Sequence, residues 1–170
     1  MWGREHYEVV VQTVRKAQVS VWIATANLKD LHVEVARGRY GSMLGELDRL
    51  CGTGVDLRIL HASLPSRPFR DSFDRYPRLV RGGLQLRQCP RVHLKTVIVD
   101  GRWLYLGSAN FTGAGLGVKA EHRRNFELGW LTEDEHVLDE VQGRFERIWS
   151  GAECPSCGQR DVCEAPLDRC

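Results

Sequence analysis

Residues 93–110 read HLKTVIVDGRWLYLGSAN, and the fold of the chain follows from this stretch. The run 92–99 is rich in β-branched residues, which predicts a strand. Asp100-Gly101 is a strong signal for a hairpin turn, because glycine tolerates the positive φ that a tight turn requires. Residues 102–106 predict the returning strand, so the stretch forms a β-hairpin.

Four polar residues are brought together by this hairpin. Side chains on a strand alternate between its two faces, so His93 and Lys95 share one face while Leu94 faces the core. The turn folds the chain back and places the loop after the second strand beside the start of the first. We therefore expect four side chains to converge on one point: His93, Lys95, Ser108 and Asn110.

These groups suit an attack on a phosphodiester. A neutral imidazole can act as a nucleophile, or as an acid and base near neutral pH. An ammonium, a hydroxyl and a side-chain amide can hold the non-bridging oxygens as negative charge develops. This chemistry needs no set of metal ligands. Asp100 is either a further catalytic carboxylate or a simple turn residue, and both interpretations stay open.

The spacing of these residues resembles the signature of the phospholipase D superfamily. The pattern is His-x-Lys, four residues, Asp, six residues, Gly-Ser-x-Asn, and every fixed position is present. Asn125-Phe126-Glu127 is similar to the downstream Asn-x-Glu of the short members, and the resemblance covers about residues 5–150. A single copy of the motif resembles the short bacterial endonucleases and the mitochondrial nuclease or cardiolipin hydrolase branch.

The resemblance implies a mechanism that needs two histidines. In the family, one histidine attacks phosphorus to form a covalent phosphohistidine, while a second histidine protonates the leaving oxygen. Since one chain supplies one such histidine, the resemblance implies a two-fold symmetric homodimer. His93 then serves as nucleophile in one subunit and as general acid in the other.

The resemblance also implies roles for the other motif residues. Lys95 and Asn110 bind the phosphate, and Ser108 supports that pocket. Glu127 orients His93 through a hydrogen bond, or is instead a surface or interface carboxylate.

Helical and strand patterns alternate along the rest of the chain. Apolar residues at helical spacing predict helices, and short apolar runs predict strands. Three helices are predicted at 4–17, 42–51 and about 70–81, and Pro77 should kink or shorten the third. A fourth helix begins at a capping box at 132–135 and ends at about Trp149. The further strands are predicted at 19–24, 55–60, 84–87 and 125–131.

This order of elements predicts an α/β protein. The expected architecture is an α-β-α sandwich with a mixed central sheet, as the resemblance to phospholipase D also implies. Residues 1–150 are predicted to form the catalytic domain, and residues 151–170 a small four-cysteine tail. The segment 27–30 follows the first predicted strand, where open α/β sheets tend to bind ligands, although a plain loop is the simpler interpretation.

Composition narrows the class of protein. A hydrophobic content of 42% with 27% charged residues is typical of a soluble globular domain and argues against disorder. The start of the chain is polar, and no window approaches the length of a membrane span, so we expect a cytoplasmic protein. A net charge of +2 is too small to indicate a nucleic-acid binder by itself.

The distribution of charge along the chain is more informative than the net charge. The range 67–91 holds seven arginines against two acidic residues, a local excess of five positive charges (seven minus two). These arginines either form a solvated helix face or contact phosphates, and the sequence leaves both interpretations open.

The six cysteines divide into two groups. Cys51 and Cys89 lie apart from one another, and each is interpreted as a buried free thiol. The other four crowd the tail with the spacing C-x2-C-x5-C-x6-C: Cys154, Cys157, Cys163 and Cys170. Clustered cysteines in a chain without an export signal favour a metal site, either a structural Zn²⁺ or a [4Fe–4S] cluster, with disulfides or free thiols as the remaining alternative.

The motif predicts the reaction class more firmly than the substrate. We expect hydrolysis or transfer at a phosphodiester without a catalytic divalent metal, most simply by a nuclease. One alternative is a phospholipid hydrolase or phosphatidyl transferase. Another is a nucleic-acid-binding subunit of a DNA-processing or defence complex that uses the motif as a phosphate pocket without turnover.

Overall fold

A six-stranded mixed sheet forms the centre of the molecule in the computed structural model, which describes residues 1–118, 122 and 124–169. The strand order is β5-β4-β1-β6-β7-β8. These strands are β1 Ser20–Thr25, β4 Asp56–His61, β5 Gln85–Gln88, β6 Thr96–Val99, β7 Trp103–Gly107 and β8 Gly129–Thr132. A separate two-stranded hairpin consists of β2 His32–Ala36 and β3 Arg39–Ser42.

The sheet changes from parallel to antiparallel pairing at β1. On one side β1 pairs parallel with β4, and β4 with β5, through crossovers that contain helices. On the other side β1 pairs antiparallel with β6, and the chain continues antiparallel through β7 to β8. The pairing of Ala24 with Thr96 ends the β1–β6 ladder. The end of β1 and the start of β6 therefore lie side by side.

Helices cover the two faces of the sheet. They are α1, which begins with a π-helical stretch Tyr7–Val11 and continues through Gln12–Arg15; α2 Met43–Gly52; α3 Arg67–Phe73; and α4 Glu135–Trp149. Along β1, Val21 and Ile23 pack into a first core with α1 and α2, while Trp22 and Ala24 pack into a second core with α4. This alternation produces the predicted α-β-α arrangement around a mixed sheet.

Two strands begin later than the sequence predicts, because their partners end. The predicted strand 92–99 starts only at Thr96, since β1 offers no ladder partner beyond Ala24. Leu94 consequently does not face the core and is 39% exposed. In the same way the predicted strand 125–131 starts at Gly129, whose partner Gly107 is the last residue of β7.

Other differences are local. The β2–β3 hairpin lies where no strand was predicted. Helix α3 ends at Phe73, and the chain resumes a helical turn at Leu79–Gly83 after Pro77, which confirms the expected break. The predicted capping box does not form at α4: Asp134 is the N-cap and accepts from the amide of Val137 (3.1 Å), while Thr132 accepts from the amide of Asp134.

The tail continues from α4 and folds back on the second core. Two short 3₁₀ turns occur at Arg160–Val162 and Leu167–Arg169, and Leu167 packs in the cluster that contains Trp149. In the described part of the chain, no helix is both long enough and apolar enough to cross a lipid bilayer.

The turn between β6 and β7 is fastened to the start of β1. Asp100 and Gly101 both have positive φ (55° and 63°), as a tight primed turn requires. The Asp100 carboxylate accepts hydrogen bonds from three consecutive backbone amides, those of Gln18 (3.1 Å), Val19 (2.7 Å) and Ser20 (2.9 Å). Asp100 therefore lies at the opposite end of β6 from His93. This position contradicts the catalytic role considered for Asp100 and indicates a structural role in the turn.

We predict that Asp100→Ala lowers the free energy of unfolding by about 2–4 kcal/mol, because three amides lose a charged acceptor. Asp100→Asn keeps one acceptor oxygen and tolerates positive φ, so its loss should be smaller. Urea denaturation of both variants measures this. Asp139→Ala removes an exposed carboxylate on α4 and serves as the control. A loss for Asp100→Ala no larger than for the control would contradict the anchoring role.

Candidate active site

Polar side chains gather where β1 ends and β6 begins. His93 and Lys95 lie on the extended segment that leads into β6. The carbonyl of Lys95 accepts from the amide of Gly107 (3.1 Å), which joins this segment to the loop that follows β7. The structure thus brings the His93–Lys95 segment beside the loop that carries Ser108 and Asn110, as the hairpin predicted.

His93 and Lys95 contact each other directly. The Lys95 ammonium lies 3.1 Å from Nδ1 of His93 and donates to the His93 backbone carbonyl at 2.7 Å. The same ammonium lies 3.4 Å from Nε2, so it packs against the imidazole ring. Lys95 and His93 therefore form one polar pair, in which the imidazole is a group suited to nucleophilic or acid–base chemistry.

Two effects act on the Lys95 ammonium. Partial burial lowers its pKa below the usual value, and this is the larger effect. The nearby Glu127 carboxylate acts in the opposite direction and favours the charged form. Glu127 thus acts on the candidate site through its electrostatic effect on Lys95.

Asn110 is held in one orientation. Its side-chain oxygen accepts from the backbone amides of Ala26 and Asn27 (both 3.1 Å) and lies 3.2 Å from the Thr25 hydroxyl. Because backbone amides can only donate, the carboxamide cannot be flipped. The Nδ2 group has no acceptor among the described residues, so its two hydrogens can bind an oxygen of a ligand.

Ser108, Glu127 and Asn125 form a second polar group. Glu127 is buried, with 8% of its surface exposed. Its carboxylate accepts a short hydrogen bond from the Ser108 hydroxyl and another from the Asn125 side-chain amide (3.0 Å). The Ser108 hydroxyl also accepts from the amide of Leu128 (3.0 Å). This network fixes the loop after β7 against the segment before β8.

Glu127 is placed differently from the role that the family resemblance implies. Among the described residues it makes no hydrogen bond to His93, and both of its oxygens are occupied by Ser108 and Asn125. The alternative of an exposed surface carboxylate is also excluded by its burial. Its position indicates that it organises Ser108 and supports the charge of Lys95.

A glycine is required where this loop starts. A β-carbon on Gly107 would collide with the hydroxyl of Tyr105 and crowd the carbonyl of Leu128. Tyr105 is almost completely buried beneath the loop, and burial raises the pKa of its hydroxyl to about 12. Close packing therefore explains why the Gly-Ser-x-Asn motif has a glycine at position 107.

Sequence reasoning missed the part that β1 plays. Thr25 and Asn27 hold Asn110 in place, and the Thr25 hydroxyl also accepts from the amide of Phe111 (3.0 Å). The position of 27–30 after a buried strand was the available signal, although a plain loop was the simpler interpretation. The last residue of β1 and the backbone that follows it support the site.

Most of the arginines between 67 and 91 are engaged within the molecule. Six of the seven bind protein atoms: Arg67 pairs with Asp71, Arg70 with the carbonyl of Pro65, Arg78 with Asp48, Arg81 with the carbonyl of Pro77, Arg87 with the carbonyl and ring of Trp149, and Arg91 with the sulfur of Cys157. Arg75 makes no hydrogen bond or ion pair within the described residues. Arg78, Arg87 and Arg91 connect separate parts of the fold, a role that neither interpretation of the sequence included.

The three tail cysteines that the structure describes are free thiols. Cys154, Cys157 and Cys163 are half-buried, and Cys170 lies outside the described residues. A hydrogen bond from the backbone of Gln159, followed by one from Arg91, lowers the pKa of the Cys157 thiol. Within residues 1–118, 122 and 124–169, no three His, Cys, Asp or Glu side chains lie close enough together to hold a metal ion.

Comparisons with known proteins point to one family. The family described as "Cardiolipin synthase, PLD-like domain" matches residues 10–149. The fold is similar to that of Nuc, a phospholipase D family member from Salmonella typhimurium, with a TM-score of 0.65 and 17% identity over 88% of this chain and 91% of that one. It is similar to NucT from Helicobacter pylori, with a TM-score of 0.60 and 16% identity over 85% and 87% of the two chains.

A third structure shares the fold in part of a longer chain. TrmBL2, an archaeal chromatin protein whose structure shows a novel mode of DNA binding, has a TM-score of 0.60 and 14% identity. The similarity covers 88% of this chain and 51% of TrmBL2. No curated protein sequence matches the chain.

We predict that Glu127→Gln lowers the pKa of Lys95, because the substitution removes the negative charge that favours the ammonium. The measurement is an NMR pH titration of the Lys95 Cε signal in the wild type and the variant. Glu133→Gln removes an exposed carboxylate ahead of α4 and is the matched control. An unchanged or raised pKa of Lys95 in Glu127→Gln would show that Glu127 does not act on the ammonium.

Proposed function

This chain belongs to the phospholipase D-like family, and on that premise we propose that it is a metal-independent nuclease that cleaves phosphodiesters through a phosphohistidine intermediate. The family match extends over residues 10–149, which agrees with the resemblance that the His-x-Lys and Gly-Ser-x-Asn motifs indicated. Members of the family are hydrolytic phosphodiesterases. The choice of nucleic acid as substrate and the covalent intermediate are our proposal.

The observation that carries the proposal is the exposed His93 imidazole in contact with Lys95, on a segment bonded to the loop that carries Ser108 and Asn110. The unprotonated ring nitrogen attacks phosphorus, a P–N bond forms, and the bond from phosphorus to the leaving oxygen breaks. That oxygen takes a proton from a second histidine in its imidazolium form, which becomes a neutral imidazole. Water then attacks phosphorus, gives a proton to the second imidazole, and displaces His93.

The neighbouring groups are suited to bind the phosphate. The Lys95 ammonium and the Nδ2 hydrogens of Asn110 can hold non-bridging oxygens as charge develops. Ser108 and Glu127 keep the loop of Asn110 in position, and Glu127 favours the charged form of Lys95. Each motif residue except Asp100 thus has a place in the proposed reaction.

The second imidazole is proposed to come from a second copy of the chain. His93 and Ser108 are exposed, so the polar groups lie on an open surface rather than in a closed pocket. Beside them β8 and the segment that leads into it present a row of exposed apolar side chains at alternate positions, Phe126 (105%), Leu128 (55%) and Trp130 (69%). Such a row next to a polar site is typical of a protein interface, and a two-fold axis there would bring both copies of His93 together.

A phospholipid substrate is the alternative within the same chemistry. The name of the matched family, cardiolipin synthase, favours it, and the apolar row could bind acyl chains instead of a second subunit. A non-catalytic nucleic-acid-binding subunit is the alternative outside it, since TrmBL2 shares the fold and binds DNA. The exposed His93 imidazole in contact with Lys95 supports catalysis over binding alone.

The C-terminal tail is proposed to bind a metal away from the catalytic residues. Thiolates at Cys154, Cys157 and Cys163 suit a structural Zn²⁺, with a [4Fe–4S] cluster as the alternative. Cys170 is the fourth ligand that the sequence spacing predicts. This metal would stabilise the fold and take no part in the reaction.

We predict that the chain cleaves labelled DNA or RNA in excess EDTA, and that His93→Ala reduces cleavage about a thousandfold or more, because the variant lacks the nucleophile. His136→Ala removes an exposed histidine on α4 and should leave cleavage unchanged. Acid-labile, alkali-stable label on wild-type protein after rapid quenching would report the phosphohistidine. If the chain cleaves vesicle phospholipids but no nucleic acid, the phospholipid alternative replaces the nuclease proposal. If it binds nucleic acid and cleaves neither substrate, the non-catalytic alternative is favoured.

We predict that the chain is a dimer and that Trp130→Glu weakens it, because the substitution places a charge within the apolar row. Light scattering coupled to size-exclusion chromatography over a concentration series measures the dissociation. Val80→Glu changes an exposed apolar residue next to β5, at the opposite edge of the sheet, and is the control. A monomeric wild type that is fully active would refute the shared site.

A further inference from the structure

A buried histidine lies next to the strand end that supports Asn110. Strands β1 and β4 are parallel, so their carboxyl ends meet at one edge of the sheet, where open α/β sheets place ligand sites. His61 is the last residue of β4 and is in register with Thr25, the last residue of β1. Its side chain is 4% exposed, and it takes no part in the reaction proposed above.

A series of hydrogen bonds leads from His61 to Asn110. Nδ1 of His61 lies 3.0 Å from the backbone carbonyl oxygen of Ser63. The amide of Ser63 donates to the carbonyl of Ala26 (3.1 Å), and its hydroxyl donates to the side-chain oxygen of Asn27 (3.3 Å). The backbone amides of Ala26 and Asn27 in turn donate to the side-chain oxygen of Asn110. Ser63 therefore binds both residues whose amides hold Asn110.

The contact with Ser63 determines which ring nitrogen of His61 carries the proton. A carbonyl oxygen can only accept a hydrogen bond, so Nδ1 is the donor. Burial lowers the pKa of His61, and the hydrogen bond to Ser63 has a smaller effect in the opposite direction. The imidazole is therefore neutral near neutral pH, with its one N–H directed at the Ser63 carbonyl.

The backbone at the end of β4 is fixed on its other side. The carbonyl of His61 accepts from the amide of Cys89 (2.9 Å), and the carbonyl of Ala62 accepts from the side chain of Gln88 (3.1 Å). The ladder between β4 and β5 ends at His61 and Gln88, so Ser63 lies beyond it. The Nδ1 hydrogen bond thus fixes the direction in which the chain leaves β4.

We propose that His61 is a positioning residue of the active site, which acts on Asn110 through Ser63, Ala26 and Asn27. The proposal rests on the proposed function, in which the Nδ2 hydrogens of Asn110 bind the phosphate. Because His61 is buried, it acts without contact with the substrate. Loss of its hydrogen bond frees Ser63 to move, and the amides that hold the oxygen of Asn110 move with it.

Two substitutions separate the hydrogen bond from the volume of the side chain. In His61→Asn the side-chain amide nitrogen can take the place of Nδ1 and donate to Ser63. In His61→Gln the side-chain amide lies one bond further from the backbone, nearer the place of Nε2, so the bond to Ser63 is lost. Tyr7→Phe is the control, because it removes one hydrogen bond of a buried side chain elsewhere in the fold, from the amide of Glu34 to the Tyr7 hydroxyl (2.8 Å).

NMR spectroscopy measures the orientation of Asn110 without any substrate. The two Nδ2 protons of Asn110 give separate ¹H–¹⁵N signals. We expect His61→Gln to shift these signals together with the backbone amide signals of Ala26 and Asn27. His61→Asn and Tyr7→Phe should leave the Asn110 signals close to their wild-type positions. Unchanged Asn110 signals in His61→Gln would overturn the proposal, whatever the substrate of the chain.

Ser63→Ala gives the same test at an exposed position, where the substitution is compatible with folding. It removes the hydroxyl that binds Asn27, so the Asn110 signals should shift in this variant as well. If neither His61 variant folds, Ser63→Ala decides the matter. Asn110 signals that stay in place would then refute the connection between the two loops.

A double-mutant cycle tests whether His61 acts through Asn110. The probe is bis(p-nitrophenyl) phosphate, a phosphodiester that is neither a nucleic acid nor a lipid. His61→Gln should lower kcat about tenfold with a smaller change in KM, and Asn110→Ala should lower kcat about a hundredfold. Because His61 acts through Asn110, adding His61→Gln to Asn110→Ala should cause no further loss.

Two outcomes of this cycle have separate meanings. A further tenfold loss in the double variant would show that His61 acts independently of Asn110, and would overturn the proposal. A wild type that hydrolyses no phosphodiester would contradict the proposed function, whereas the NMR signals of Asn110 alone decide whether His61 positions that side chain.

Discussion

The antiparallel pairing of β6 with β1 is the constraint on which the rest of the structure depends. It joins a parallel half of the sheet, built with helical crossovers, to an antiparallel half built from hairpins. Because this ladder ends at Ala24 and Thr96, the last residue of β1 lies beside the segment that carries His93 and Lys95. At the other end of this ladder, the Asp100 carboxylate accepts hydrogen bonds from backbone amides at the start of β1, which holds the β6–β7 turn in place. Both ends of the hairpin are therefore fixed against one strand.

The site is organised by a series of charges and hydrogen bonds that support one another. Buried Glu127 is held by Ser108 and Asn125, and its charge favours the ammonium of Lys95 although partial burial lowers the pKa of that group. The ammonium in turn contacts the imidazole of the neighbouring His93. A change at any of these positions alters the charge or orientation of the next, so these residues act as a unit rather than as separate contributions.

The cations of the 67–91 stretch show how little local composition reveals about partners. Six of the seven arginines there bind carboxylates, carbonyls, an aromatic ring or a sulfur of the same chain. Arg87 connects β5 to α4, and Arg91, which follows β5, connects the segment before His93 to the tail. Positive charge in this part of the sequence is thus used largely in contacts within the chain.

The sequence by itself determined the hairpin at 92–106, the convergence of His93 and Lys95 with the Gly-Ser-x-Asn loop, and the α-β-α order of elements. These features depend on turn chemistry, on side-chain periodicity and on a motif of fixed spacing, all of which are local. Only the tertiary structure decided where β6 and β8 begin, because a strand ends where its partner ends. It also decided that Asp100 anchors β1, that Glu127 binds Ser108 and Asn125, and that Thr25 and Asn27 hold Asn110. Each of these contacts joins residues distant in sequence, and such pairings depend on the packing of the whole chain rather than on any pattern within one segment.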